Sequence, residues 1–275
     1  MRPDAVPTQY GRVRISVLVP SYNSAPFLRQ ALASALDQVP SPHELLVQDG
    51  GSTDETLDIL RSFGDRVLWT SGPDGGQSDA LNKALTRATG DVVIWLNADD
   101  MLCPGALAAA TDAFSADSDL AFAYGHFDVI DAAGGLIRRF TSSTYSWERI
   151  FRKGCYIFSG SLFIRRQALN DVGRFDASLR ACMDLDLMLR LNTAGKSVHL
   201  GRTIAQFRIH GAGKSSRMGL TFIREGFRVR HRYLGGSPRL WLHSVRLGLV
   251  ESLIQFASPL RYSRLWPRHG RGKTL

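Results

Sequence analysis

Runs of apolar residues alternate with polar stretches along the first hundred residues, a pattern typical of strands followed by loops and helices. RISVLVP (14–20) is continuous and β-branched, as expected for a strand buried on both faces of a parallel sheet. The following SAPFLRQALASALDQ places apolar residues at helical spacing. Three later runs, ELLVQ, RVLWT and DVVIWL, begin similar units. Four units in series predict an α/β domain with a mostly parallel sheet flanked by helices.

The second half of the chain is less regular. AFAYGHFDVIDAAGGLIRRF predicts a strand hairpin that turns at Gly134 and Gly135, and GSLFIRR predicts another strand. CMDLDLMLRLNTAG predicts a helix that ends before Gly195, and TIAQFRI has the pattern of a last strand.

Composition places the chain among folded, soluble proteins, since 44% of its 275 residues are hydrophobic and 21% are charged. The first residues lack the apolar core and cleavage site of a secretory signal, and three widely spaced cysteines fit neither a disulfide framework nor a Cys-x-x-Cys metal site. We therefore expect a cytoplasmic protein.

The net charge of +9 is concentrated near the C-terminus, where Glu225 and Glu251 are the only acids after residue 216. This asymmetry predicts an anionic partner. Interleaved Trp, Leu and Phe suit a membrane surface better than a nucleic acid, which would place the protein peripherally on the inner face of the cell membrane. A terminal helix packed on the domain, with a solvated basic face, fits the same pattern. No stretch is long and apolar enough for a transmembrane span.

Polar clusters follow all four predicted strands of the first half. They occupy Ser21–Asn23, Asp49–Asp54, Asp74–Lys83 and Asn97–Asp100. Each could be ordinary turn chemistry. Ligands of open parallel sheets bind beyond the carboxyl ends of the strands, however, so four clusters at one edge favour a binding site.

Three side chains in these clusters are candidates for contacts with a nucleotide. Asp49 directly follows a strand and could accept hydrogen bonds from a nucleobase or a ribose. Gln77 and Lys83 lie near one helix start, and Lys83 could contact a diphosphate. A solvated helix face would explain Lys83 as well.

Asp99 and Asp100 are adjacent at the end of the fourth predicted strand. Such carboxylates repel one another unless a cation or hydrogen bonds share their charge. Mg²⁺ or Mn²⁺ would bind one or two of them and complete its shell with water and phosphate oxygens. Alternatively, the pair could cap the next turn.

Asp184 and Asp186 are two residues apart on a predicted helix and so cannot share one face. We expect one of them to be a general base that deprotonates a hydroxyl group, and the other to cap or orient. Stabilisation of the helix dipole by both acids is the structural alternative. His210, at a strand end, could complete a metal shell with Asp99.

Taken in order, these motifs resemble the GT-A fold, family 2 glycosyltransferases of bacteria over roughly residues 14–216. The motifs are SVLVPSYNSAPFLRQALASALDQ, ELLVQDGGSTDETLDIL, PDGGQSDALNKALTRATGDVVIWLNADD, MDLDLMLRL and FRIHGAGKSS. The resemblance implies a Rossmann-like nucleotide-diphospho-sugar transferase domain. The expected divisions are an extension (1–13), a nucleotide-binding half (14–103), an acceptor and catalytic half (104–216) and a basic, helical, amphipathic region (217–275).

The resemblance also implies an inverting transfer of a sugar from a nucleotide donor, expected to be a UDP-sugar, to a hydroxyl of a polysaccharide or lipid-linked glycan. Asp99 matches the metal-binding acid for Mn²⁺ or Mg²⁺, His210 a position that contacts metal or diphosphate, and Asp184 the general base. The expected donor-binding residues are Pro20, Ser21, Asn23, Asp49, Gln77, Lys83, Asn97 and Asp99.

Two positions depart from the family pattern. Asn97 stands where many members have Asp, which suggests a ribose contact, and Met183 replaces the Glu that precedes the base. A sugar nucleotidyltransferase is a rival interpretation, but it should carry a glycine-rich basic loop where this chain has VPSYNSAPF. A non-catalytic nucleotide-sugar-binding module is a second rival, and the presence of Asp99, Asp184 and His210 argues against it.

Overall fold

The computed structural model describes residues 13–211 and 218–234. The chain divides into two compact units, Met1–Gly211 and Ala212–Leu275. The described strands are β1 (Ile15–Ser21), β2 (Glu44–Asp49), β3 (Leu68–Ser71), β4 (Val92–Trp95), β5 (Met101–Leu102), β6 (Leu120–Ile130), β7 (Leu136–Phe140), β8 (Leu162–Arg165) and β9 (Lys196–Arg208). The described helices are α1 (Ala25–Leu36), α2 (Thr56–Ser62), α3 (Gln77–Arg87), α4 (Ala106–Ala116), α5 (Trp147–Lys153), α6 (Arg166–Asp171), α7 (Met183–Arg190) and α8 (Gly219–His231).

Strands β1 to β4 are parallel and lie in the order β3-β2-β1-β4, as the repeated strand and helix pattern predicts. Their central members are buried on both faces. The five residues from Ile15 to Val19 in β1 and all of β4 are buried, which accounts for the continuous apolar runs in the sequence. Helices α1, α2 and α3 connect these strands, and α1 has Pro26 in its first turn.

The second half of the chain extends this sheet with antiparallel pairs. β8 pairs antiparallel with β4 and β6, and β6 and β7 form the predicted hairpin. The amide of Gly135 donates to the Asp131 carboxylate (2.8 Å) at its turn. Strands β6 and β9 are parallel, so the whole sheet is mixed, with its parallel core in the first half.

The short strand β5 brings the residues that follow β4 close to the end of β9. It begins at Met101, directly after Asp100, and pairs antiparallel with β9, where Met101 lies opposite Gln206. The end of β9 and the residues that follow it must therefore lie beside the end of β4. This pairing carries His210 to Asp99 across more than one hundred residues of sequence.

The second unit is described only over residues 218–234, in which α8 is the helix. Arg224, Arg228 and His231 are exposed, whereas Glu225 and Arg230 are buried. Among the described residues, no helix is long and apolar enough to cross a membrane. Most of the predicted region 217–275 lies outside the described residues.

Candidate functional site

The carboxyl ends of β1, β2 and β3 meet at one edge of the sheet. Ser21 at the end of β1 lies opposite Asp49 at the end of β2, and Asp49 lies opposite Ser71 at the end of β3. The main chain of Leu96, just beyond β4, donates to the Leu18 carbonyl of β1 (3.0 Å). The predicted polar clusters thus gather where parallel sheets bind ligands.

Asp49 organises the turn after β2. Its carboxylate is fully buried and accepts hydrogen bonds from the amides of Gly51 (3.0 Å) and Ser52 (2.9 Å) and from the hydroxyl of Ser71 (2.7 Å). The sequence suggested a direct contact with a nucleobase or ribose. In the structure the carboxylate instead shapes the loop, and a direct contact stays a prediction.

The loop after β1 is joined to this turn. Pro20 is half-buried within β1, and Ser21 is buried with a hydroxyl that has no hydrogen-bond partner among the described residues. Asn23 adopts a left-handed conformation (φ 48°), and its side-chain oxygen accepts from the amide of Thr53 (2.9 Å). These three residues lie at the predicted edge, and Asn23 connects two of its loops.

Tyr22 lies at this edge, although the sequence patterns did not single it out. Its side chain is 64% exposed, which is unusual for a large ring. It lies beside Gly50, where a Cβ atom would come within 3.3 Å of the Tyr22 ring and 2.9 Å of Asp74. The sequence signal that could have identified Tyr22 is an aromatic residue within the polar cluster that follows β1.

Gln77 and Lys83 lie on α3, and their contacts differ. Nε2 of Gln77 donates to Oδ1 of Asn97 (2.6 Å), which joins the start of α3 to the loop after β4. The ammonium group of Lys83 lies 3.0 Å from Asp79 and 3.1 Å from the Pro73 carbonyl. Lys83 is therefore tied to its own helix and the preceding loop, and its contact with a diphosphate stays a prediction.

Asn97 is the centre of a hydrogen-bond network. Its Oδ1 accepts from Gln77 and from Nε1 of Trp95 (2.7 Å), and its Nδ2 donates to Asp100 (2.7 Å). Both ends of the side chain are thus engaged within the protein. An amide suits this position, because its oxygen accepts two hydrogen bonds while its nitrogen donates a third. A ribose contact by Asn97 stays a prediction.

Asp99 and Asp100 have opposite environments. Asp100 is fully buried, and burial together with the neighbouring charge of Asp99 raises the pKa of its carboxyl group well above the usual range. The side chain of Asp99 is 33% exposed, and its Oδ2 lies 2.9 Å from Nε2 of His210. Of these two acids, Asp99 is the one with an accessible carboxylate.

The Asp99–His210 pair can contribute to a divalent metal site. The described residues contain no cluster of three or more His, Cys, Asp or Glu that could hold a metal ion. The Asp99 carboxylate nevertheless fits Mn²⁺ or Mg²⁺, which take few protein ligands and complete their shell with water and phosphate oxygens. The imidazole nitrogen, 2.9 Å from this carboxylate, is a less preferred ligand for these ions.

Asp184 and Asp186 face different surroundings at the start of α7, as their spacing predicts. Asp186 is 1% exposed and forms an ion pair with Arg190 (2.7 Å). Asp184 is less buried, and its Oδ1 accepts from the amide of Leu185 (2.8 Å). Asp184 is therefore the better placed of the two for contact with a substrate.

Helix α3 places the start of α7 near the loop after β4. The hydroxyl of Ser78 donates to the Leu179 carbonyl (2.9 Å) and lies 3.3 Å from Sδ of Met183, the residue before Asp184. The preceding residue, Gln77, bonds to Asn97. Contacts from two consecutive residues thus connect the two acidic regions through one helix start.

Comparisons with known proteins identify relatives of this chain. Chondroitin synthase of Escherichia coli is 30% identical over 210 residues, which cover 73% of this chain and 30% of that protein. O-antigen biosynthesis protein RfbC of Myxococcus xanthus is 32% identical over an alignment of 277 positions, which covers 98% of this chain and 21% of that protein. The chain thus spans only 21% to 30% of these relatives' lengths.

Two solved structures share the fold. S. aureus TarS 1–349 in complex with UDP-GlcNAc has a TM-score of 0.63 and 20% identity, covering 94% of this chain and 76% of that one. Mannosyltransferase PcManGT of Pyrobaculum calidifontis, in complex with GDP-Man and Mn²⁺, has a TM-score of 0.58 and 18% identity, covering 96% of this chain and 84% of that one.

The model of Glycosyl transferase family 2 matches residues 16–173, more than half of the chain. This range includes all four strand-end clusters of the first half. The chain therefore belongs to the family 2 glycosyltransferases and has their GT-A fold.

Proposed function

We propose that this glycosyltransferase inverts the anomeric centre as it moves a sugar from a UDP-sugar to a hydroxyl group of a polysaccharide or lipid-linked glycan. The observation that carries the proposal is the Asp99–His210 pair, with 2.9 Å between its polar atoms at the carboxyl edge of the sheet. Asp184, which is less buried than Asp186, supports a second chemical role.

The loops after β1 and β2 form the proposed nucleotide site. The exposed ring of Tyr22 can stack on a nucleobase, and the absence of a side chain at Gly50 leaves room beside it. Complexes of the structural neighbours with UDP-GlcNAc and GDP-Man support a nucleotide sugar as the donor. Gln77 and Asn97 then hold the loop that carries Asp99.

Asp99 and His210 would hold Mn²⁺ or Mg²⁺ together with the donor diphosphate. The bound cation would stabilise the negative charge that develops on the leaving diphosphate oxygen. The neighbour with GDP-Man also contains Mn²⁺, which supports this assignment. Asp100 and Asn97 restrain the loop and make no contact with the ion in this proposal.

Asp184 would act as the general base. An acceptor oxygen attacks the anomeric carbon while its proton moves to the Asp184 carboxylate, and the bond to the nucleoside diphosphate breaks with its electron pair leaving on the diphosphate. A single displacement of this kind inverts the anomeric configuration. The relatives named for chondroitin and O-antigen biosynthesis support a glycan as the acceptor.

The basic C-terminal region supports a further part of the proposal, association with an anionic membrane surface. On α8, Leu220, Arg224 and Arg228 are exposed at intervals of four residues and so share one face. Arginines on such a face attract anionic lipids. Replacing both Arg224 and Arg228 by Gln should weaken sedimentation with phosphatidylglycerol vesicles, whereas equal binding would favour a packed helix.

A donor screen tests the central proposal. Thermal shifts with UDP-, GDP- and dTDP-sugars, each with and without Mn²⁺, should show metal-dependent stabilisation by a UDP-sugar. NMR of the transferred sugar should then show inversion at the anomeric carbon. Stabilisation without any transfer to glycan acceptors would support a binding module, and release of pyrophosphate from a sugar phosphate and UTP would support a nucleotidyltransferase.

A further inference from the structure

Arg208, the last residue of β9, has a buried guanidinium that joins three separate segments of the chain. Its Nε donates to the main-chain oxygen of Asp99 (2.9 Å), and Nη2 donates to the side chain of Gln30 in α1 (2.7 Å). Nη1 donates to the carbonyl oxygens of Asp131 (3.3 Å) and Ala132 (3.0 Å) at the hairpin turn. One side chain thus fixes the loop after β4 to α1 and to the hairpin.

The main chain of Arg208 holds the same loop at a second point. Its amide donates to Oδ1 of Asp100 (2.9 Å). The side chain binds the carbonyl of Asp99, and the amide binds the side chain of Asp100. Both residues of the acidic pair are therefore restrained by Arg208.

A second route leads from Arg208 to His210 through Phe27, in the first turn of α1. The guanidinium carbon of Arg208 lies 4.9 Å from the centre of the Phe27 ring. The same ring lies 4.5 Å, centre to centre, from the imidazole of His210. Arg208 thus acts on both members of the Asp99–His210 pair, on one through its carbonyl and on the other through an aromatic ring.

We propose that Arg208 is a positioning residue, which holds Asp99 and His210 at the separation that binds the metal ion. The identity of the ion rests on the proposed function, but the positioning of the pair does not. The planar fork of a guanidinium can reach several carbonyl groups at once, whereas a lysine ammonium would be a single point charge. Loss of such outer contacts weakens metal binding about 10- to 100-fold in other sites.

Arg165 offers a matched control. Its guanidinium also donates to main-chain carbonyls, those of Leu120 (3.0 Å) and Asp117 (3.5 Å), and lies 5.3 Å from the ring centre of Phe114. It pairs with Val92 at the amino end of β4, the end remote from Asp99. Arg165 therefore shares the bonding of Arg208 but lies away from the site.

The experiment compares Arg208→Gln and Arg208→Lys with Arg165→Gln. Mn²⁺ affinity, measured by calorimetry at saturating UDP, should fall about 10- to 100-fold in both Arg208 variants and stay within about twofold in the control. In the metal-free protein, the imidazole proton resonance of His210, assigned by its loss in His210→Gln, should shift in both Arg208 variants and stay in place in Arg165→Gln. Thermal unfolding of all variants corrects for general loss of stability.

Wild-type Mn²⁺ affinity and an unmoved His210 resonance in Arg208→Gln would overturn the proposal, as would an equal loss of affinity in Arg165→Gln. If Arg208→Gln does not fold, Arg208→Lys, which keeps the charge but not the planar fork, decides the proposal by the same two measurements. If the wild-type protein binds no Mn²⁺, the metal part of the proposed function fails. The His210 resonance then still decides whether Arg208 positions the pair.

Discussion

Two pairs of acids, Asp99 with Asp100 after β4 and Asp184 with Asp186 at the start of α7, divide their members in the same way. In each pair the second acid is buried and bonded within the protein. The first acid is more accessible. The partners of the buried acids differ, because Asp186 has the guanidinium of Arg190, whereas Asp100 accepts from main-chain and side-chain amides.

This difference separates two ways to bury an acid. Asp186 accepts from the guanidinium of Arg190 (2.8 Å) on the next turn of its own helix, so this partner is local in sequence. Asp100 depends on donors from Asn97 and from the distant Arg208, and its raised pKa favours the protonated form. The different surroundings of Asp184 and Asp186 can be anticipated from their spacing on one helix. Those of Asp99 and Asp100 depend on how β9 folds back.

The first prediction concerns Asp184 and Asp186 at the start of α7, and it has the largest expected effect, a loss of transfer rate. Asp184→Asn should reduce transfer about 10²- to 10⁴-fold, because an amide cannot accept the acceptor proton. UDP binding should be unchanged, since Asp184 belongs to the acceptor side of the proposed mechanism. Steady-state kcat and calorimetry with UDP measure the two effects. Turnover that survives in Asp184→Asn would place the base elsewhere. The first acid of each pair would then not share a functional role.

The second prediction concerns the accessible acid of the strand-end pair. Asp99→Ala should abolish the strengthening of UDP binding by Mn²⁺, because His210 alone cannot hold the ion. Calorimetry with UDP, with and without Mn²⁺, measures this dependence. Asp79→Ala is the control, since Asp79 is an acid near the same edge that is tied to Lys83. The same metal dependence in wild-type protein and Asp99→Ala would refute the metal assignment.

The third prediction concerns the ion pair between Asp186 and Arg190 in α7. Asp186→Asn should lower the free energy of unfolding by about 3 kcal/mol, because it leaves the Arg190 guanidinium without its countercharge. Replacing the pair together, by Asp186→Leu with Arg190→Met, should recover most of this loss. Urea unfolding of the wild-type protein and of these two variants gives the values. Equal losses in single and double variants would show that the pair is not coupled.

Much of the fold follows from sequence pattern, since buried parallel strands produce continuous apolar runs and strand ends collect polar residues. The bonding of individual site residues does not. Asp49 accepts from Ser71 at the end of β3, and Asn97 accepts from Gln77 at the start of α3. No local spacing identifies either partner. Arg208 is harder still to anticipate, because its role depends on the pairing of β5 with β9.

The last prediction concerns Asp100, the buried acid after β4, and it has the smallest expected effect on the free energy of unfolding. Asp100→Asn should cost about 1–2 kcal/mol at pH 5, because one end of the new amide would face the donor group of Asn97. A carboxyl group whose pKa rises on folding stabilises the protein most below its unfolded pKa, and this contribution falls as pH rises toward the folded value. The stability gap between wild type and Asp100→Asn should therefore narrow from pH 5 to pH 8. Urea unfolding in EDTA measures the gap, and a gap that widens with pH would mean that Asp100 is buried as a charged group.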